Sequence, residues 1–258
     1  MFLGVVGRII STVASSRYAR KLVGVSLSLT CAVSSRLRWD PIVQVQLGPL
    51  GVDARFAFHL LNRDLSNLVE IFVNHVYDKY CPINNGDLVI DCGAYVGEFT
   101  VQAARKVGGE GLVLAFEPNP LSFPLCKANI ERNSLKNVRL FSNALGETDG
   151  RAHFQVDSVN LGASKVIPAK DQGPTSGVSV MTLSQFIGYF DHRTVKLLKI
   201  DVEGFAMKIA SGATDLFARK LVQNVSAEIH PGEEGLQEFL ESYGFRCSRE
   251  ENYLYATL

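Results

Sequence analysis

The chain has 258 residues and a mass of 28.3 kDa, is 47% hydrophobic and 20% charged, and balances 26 basic against 26 acidic side chains. That length and composition fit one α/β domain with a modest extension and a sizeable core, and the neutral balance points away from nucleic acid as a partner. Five cysteines, Cys31, Cys81, Cys92, Cys126 and Cys247, are scattered, odd in number and free of any C-x-x-C pair. They argue against a disulfide framework or a zinc site and for a reducing compartment such as the cytoplasm.

The neutral total hides an uneven start. Residues 1–39 hold Arg8, Arg17, Arg20, Lys21, Arg36 and Arg38, no acid, and many serines and small apolar residues. Three readings stay open: a cleaved organellar presequence, an amphipathic segment lying on an anionic membrane, or a helical extension packed on the domain. The apolar run from Leu22 to Val33 is too short to cross a bilayer. Residues 40–87 form a lead-in. Val43, Val45 and Leu47 alternate as a strand, Gly48 and Gly51 mark a turn, and Arg55 to His59 completes a hairpin. Asn67 is placed to cap a helix whose apolar face is Leu68, Ile71, Phe72, His75 and Val76. His75, inside that face, reads as a packed or hydrogen-bonded histidine and not as a ligand.

Residues 88–258 form the main domain, in which strands and helices alternate as in a doubly wound parallel sheet. Leu88, Val89 and Ile90 make a buried strand ending in Asp91; Gly93 and Gly97 follow, then a helix from Glu98 to Lys106. The second strand covers 113–117, and Ser122 is the expected cap of a helix through Asn133. Val138 to Phe141 is the third strand. Residues 146–177 break the rhythm with repeated glycines and a short alternating stretch from His153 to Val156, a long irregular insert of the kind that carries function. A short helix (Leu183 to Phe190), two strands (Val195 to Ile200, Val222 to Ile229) and a helix (Gly235 to Tyr243) come next. Phe245 to Arg249 and Tyr253 to Leu258 close the chain as an antiparallel pair.

The spacing around the first glycine turn carries the first functional signal. The dinucleotide fingerprint needs G-x-G-x-x-G to seat a pyrophosphate on a helix N-terminus; here the pattern is D-x-G-x-x-x-G, with Ala94 and Tyr95 inside it. It suits a ligand without a pyrophosphate, whose charged amino-acid end meets the turn. Gly93, lacking a Cβ, lets that ligand approach the backbone. Glu117 ends the second strand, where an acid meets ribose hydroxyls. Together these describe S-adenosylmethionine and not NAD.

LVIDCGAYVGEFT (88–100), AFEPNP (115–120), LLKIDVEG (197–204) with SGA at 211–213, and AEIHP (227–231) occur in that order. On these stretches the chain, over roughly residues 42–258, resembles the FkbM family of S-adenosylmethionine-dependent methyltransferases. The resemblance implies a Rossmann-like class I methyltransferase sheet of seven strands, the last antiparallel, with helices on both faces. It implies methyl transfer, usually to a hydroxyl of a sugar or secondary metabolite, with a glycolipid among the acceptors. The donor would be held by Asp91, Gly93, Tyr95, Gly97, Glu117, Pro118, Asn119, Asn143, Ala144 and Asp201. Two departures concern the acceptor side: Ala206 stands where the family commonly has an acid, and Ser184 where it often has aspartate.

Transfer to a hydroxyl also needs a group to take its proton. The candidates at the ends of the fourth and fifth strands are Asp201, Glu203, Glu228 and His230. His230 titrates near working pH and is the preferred base, with a packed role beside Pro231 as the alternative; Asp201 could instead meet the donor's ammonium group. A divalent ion between Asp201, Glu203 and Glu228 is conceivable, but no metal-ligand spacing is present, so no metal is expected. The motifs of base-amine and cytosine methylation are absent, which disfavours a nucleic-acid acceptor, while amino-group or protein acceptors stay open. The partners expected are a small-molecule or glycan acceptor and, through residues 1–39, a peripheral membrane surface; the location expected is the cytoplasm, with membrane association or an organelle as alternatives. Three functions stay open: an active O-methyltransferase, a catalytically inactive cofactor-binding protein serving as sensor or assembly partner, and a membrane-attached enzyme acting on a lipid-like acceptor.

Overall fold

The structure, a computed structural model, describes residues 42–46, 54–59, 64–155, 165–167, 177–190, 193–233 and 235–258. The expectations for residues 1–39 lie outside them. A hairpin, β1 (Ile42–Gln46) and β2 (Arg55–His59), leads into α1 (Asp64–Phe72). The domain follows as β3 (Leu88–Cys92), α2 (Glu98–Val107), β4 (Leu112–Phe116), α3 (Ser122–Arg132) and β5 (Val138–Phe141). Next come β6 (Ala144–Leu145), β7 (Gly150–Gln155), β8 (Lys165–Ile167), β9 (Gly177–Met181) and a 3-10 helix, Leu183–Tyr189. The chain finishes with β10 (Val195–Ile200), α4 (Ala206–Ser211), α5 (Thr214–Ala218), β11 (Asn224–Glu228), α6 (Leu236–Ser242), β12 (Arg246–Glu250) and β13 (Tyr253–Thr257).

The seven-stranded sheet runs β12-β13-β11-β10-β3-β4-β5. Its neighbours are parallel except at β13, which runs against both β11 and β12. The order reverses between β3 and β10, so their carboxyl ends open the crevice where sheets of this kind take their ligands. Side chains alternate across each strand, and the two faces build separate cores. Val89, Val113 and Leu197 pack with Phe99, Val101 and Ala104 of α2 and with Leu68 and Ile71 of α1. Leu88, Ile90, Leu198 and Ile200 pack on the other face with Ala206, Ile209, Phe217, Leu236 and Leu240 of α4 to α6. Helices thus cover both faces, and the class I methyltransferase sheet expected from the sequence is present.

Several local expectations change. The insert is not irregular throughout: β6 to β9 form a second sheet in the order β6-β9-β7-β8, on a small core of Ala144, Ala152 and Val178. Short strands interrupted by glycines give too little periodicity to be seen in sequence. Helix α1 begins at Asp64 and stops at Phe72, so Asn67 is interior to it and His75 lies beyond it. His75 sits in a left-handed turn (φ 54°), with Nδ1 3.4 Å from Asp78 and 3.3 Å from Gln102. Ser122 does not cap α3; the Asn119 side chain accepts the Leu121 N–H instead. Helices α4 and α5 had no counterpart in the sequence reading.

Candidate active site

Strand β3 runs into a turn with Gly93 at φ 86°, Tyr95 at φ 52° and Gly97 at φ 93°. The N–H groups of Gly93 and Ala94 both donate to the Phe116 carbonyl on β4. A Cβ on Gly93 would overlap the backbone oxygen of Asp201. The missing Cβ of Gly93 therefore makes room for the neighbouring strand end. The turn delivers the chain to α2, whose first turn has no side-chain cap and leaves N–H groups pointing back at the crevice.

Glu117 stands just past β4 and is buried. One carboxylate oxygen accepts the Tyr95 N–H at 2.6 Å, the other the Asn119 N–H at 2.8 Å. Each oxygen keeps a second lone pair for a ligand hydroxyl. Burial pushes the carboxyl up, against the pull of those two bonds. Pro118 is half-buried beside it and Asn119 buried. Asn143 follows β5, half-buried, at the same end of the sheet; Ala144 is turned into the small core.

Asp91 is fully buried beneath the turn, where Thr100 donates to it at 2.5 Å. Its other oxygen is 3.0 Å from the ammonium of Lys199. Lys199 also donates to the Gly93 carbonyl at 2.6 Å and lies 3.6 Å from Asp201. Burial works against its charge, but Asp91 and Asp201 outweigh it and raise the pKa. Asp91 is thus paired from below by a buried cation, which locks the turn to β10.

Beyond β10 and β11 the acids gather. Asp201 Oδ2 accepts the Tyr77 hydroxyl at 2.8 Å, and Oδ1 is 3.8 Å from His230 Nε2. Against the cost of burial, Lys199, His230 and Tyr77 hold Asp201 at a pKa of about 2. Glu203 sits in a left-handed conformation (φ 44°) before Gly204 (φ 88°), and its carboxylate is 3.5 Å from His230 Nδ1. Glu228 lies 3.5 Å from the Tyr77 hydroxyl; burial and the charge of Asp201 push it up to about 7. The Asp201 carboxylate, opposed by burial and helped by Glu203, pushes His230 up to about 9. The Asp201 and Glu203 carboxylates favour the protonated form of the His230 ring, which weighs against it as the base.

Three residues escaped the sequence reading. Lys199 left a trace, a charge inside the apolar run LLKI. Tyr77 belongs to the lead-in, wedged edge-on against Phe99 and Tyr253 with Lys199 over its ring, and gave no signal. Glu233 is buried, and its carboxylate accepts the N–H of Ala206 at 2.5 Å and of His230 at 3.0 Å. It ties the loops after β10 and β11 together. It also brings a carboxylate to the backbone at the start of α4.

The model of the methyltransferase FkbM domain family matches residues 91–247. "Methyltransferase 1" of Beauveria bassiana (strain ARSEF 2860) is 28% identical over 203 residues, covering 70% of this chain and 80% of its own length. The 31-O-demethyl-FK506 methyltransferase FkbM of Streptomyces tacrolimicus is 29% identical over 220 residues, covering 72% and 84%. Among solved structures, a SAM dependent methyltransferase from Aquifex aeolicus aligns over 76% of this chain and 94% of its own, at 13% identity and a TM-score of 0.43. The chain belongs to the FkbM methyltransferase family, and its chemistry is methyl transfer from S-adenosylmethionine.

Proposed function

We propose that the protein methylates a hydroxyl oxygen on a small molecule or glycan. The observation that carries this reading is the wall of Asp201, Glu203, Glu228 and His230 at the carboxyl ends of β10 and β11. An alcohol is a weak nucleophile until its proton leaves, so an oxygen acceptor calls for proton-accepting groups beside the donor, whereas a neutral amine does not. The Streptomyces relative, named for an O-demethyl substrate, supports the same class.

The residues present fit S-adenosylmethionine. Glu117 offers a buried carboxylate with lone pairs for two ribose hydroxyls, the uncapped start of α2 suits the carboxylate of the methionine end, and Asp201 suits its ammonium. When bound, the donor supplies a methyl group already carrying positive charge on sulfur. The chain's part is to hold the acceptor in line and receive its proton. With His230 protonated and Asp201 engaged by Tyr77 and Lys199, that proton goes to Glu228.

The reading keeps the acceptor small or glycan, with no nucleic acid, and the location cytoplasmic, with membrane contact through residues 1–39. The test is incubation with trideuteromethyl-labelled S-adenosylmethionine and a metabolite extract, followed by mass spectrometry and NMR of the labelled product. A methyl ether is expected; label on nitrogen or carbon contradicts the proposal.

A further inference from the structure

Three ligating groups converge where β10 and β11 end. A carboxylate oxygen of Asp201, one of Glu228 and a ring nitrogen of His230 all lie within 4.8 Å of one another. His230 Nε2 is closed off from solvent and has no hydrogen-bond partner among the described residues. It faces Asp201 Oδ1 across 3.8 Å, too far for a hydrogen bond. Two ligands each roughly 2.0–2.6 Å from one ion stand about 3 to 5 Å apart, so the gap has the width a cation fills.

The atoms not facing the gap are held by other groups. Asp201 Oδ2 takes the Tyr77 hydroxyl and lies beside Lys199. His230 turns Nδ1 toward the Glu203 carboxylate at 3.5 Å. A carboxylate behind the far nitrogen fixes the tautomer that leaves Nε2 for a metal, the arrangement common behind metal-bound histidines. Inner ligands and outer supports are thus both present. The sequence named the three ligating residues but not the supports Tyr77 and Lys199, which come from the lead-in and from within β10.

We propose that Asp201, Glu228 and His230 Nε2 bind one exchangeable divalent cation, with its remaining positions open to the acceptor's hydroxyl. Two carboxylates and one imidazole favour Mn²⁺ over the purely oxygen-seeking Ca²⁺. Binding sends the imidazolium proton of His230 to solvent. The role, though not the binding, rests on the hydroxyl-acceptor reading. An alcohol oxygen on the cation gives up its proton more readily, and that proton passes to the Glu228 oxygen left free by one-oxygen coordination.

The test uses the full chain, stripped with EDTA and desalted, without donor or acceptor, titrated with Mn²⁺ while electron paramagnetic resonance reads the free ion. One Mn²⁺ per chain is expected. Glu228→Gln and His230→Gln should each weaken binding at least tenfold, whereas Glu250→Gln, at the exposed pair with Lys79, should leave it unchanged. Thermal melts confirm that the variants fold. No binding, or binding indifferent to Glu228 and His230, overturns the site. Mn²⁺ binding together with full-rate methyl transfer in EDTA overturns its role; a bound ion with no hydroxyl methylation leaves the site standing and removes the acceptor reading.

Discussion

Glu117 and His230 show how much a side chain's neighbours decide. Glu117 accepts two backbone N–H groups and keeps lone pairs for ribose, so Glu117→Gln exchanges one acceptor for a donor pointed at an N–H. Donor binding should weaken by roughly 1–3 kcal/mol, the cost of leaving a buried donor or acceptor without its partner. Titration calorimetry on the folded variant decides it, and unchanged affinity contradicts the ribose assignment. For His230 the sign is set by a raised pKa: its contribution to stability is complete below about 6.5 and fades as pH rises through about 9. In EDTA, the melting temperature of the wild type should therefore fall between pH 6.5 and 9 relative to that of His230→Gln. Parallel curves would show that the ring gains nothing from Asp201 and Glu203. The identity of Glu117, Asp201, Glu228 and His230 was readable in sequence because each ends a strand. Their charges were not, because those depend on burial and on neighbours such as Lys199 and Asp201 that the fold brings beside them.

The turn after β3 and the turn after β10 hold glycines for different reasons. At Gly93 a Cβ would meet the Asp201 carbonyl and the backbone is left-handed; at Gly204 (φ 88°) the backbone is left-handed but nothing lies nearby. Gly93→Ala should thus cost overpacking and strain together, about 2–5 kcal/mol, and Gly204→Ala strain alone, about 1–2 kcal/mol. Denaturant melts of the two variants check the order, and equal losses would refute the close approach of the strand ends. The main strands announced themselves because they are continuous apolar runs, buried on both faces. Helices α4 and α5 are only six and five residues long and are separated by Gly212, so their periodicity never builds. The small sheet was hidden likewise, since β6 has two residues and β8 three.

At the scale of the whole molecule, a seven-stranded sheet places the glycine turn and Glu117 beside β3 and β4 and an acidic wall beyond β10 and β11. The order of the motifs made that sheet legible, whereas the contribution of the lead-in, through Tyr77, required the folded chain. The basic stretch 1–39 has its own test. Its deletion should leave donor affinity intact and reduce sedimentation with anionic vesicles, by an amount that shrinks in salt; unchanged sedimentation removes the membrane proposal. The central claim is that Glu228 serves the acceptor and not the donor. Single-turnover methyl transfer by Glu228→Gln, at saturating S-adenosylmethionine and neutral pH, tests it most directly. The account predicts a rate lower by a factor of about 100 to 10,000 with donor affinity unchanged; a wild-type rate, or a loss fully explained by weaker donor binding, would contradict it.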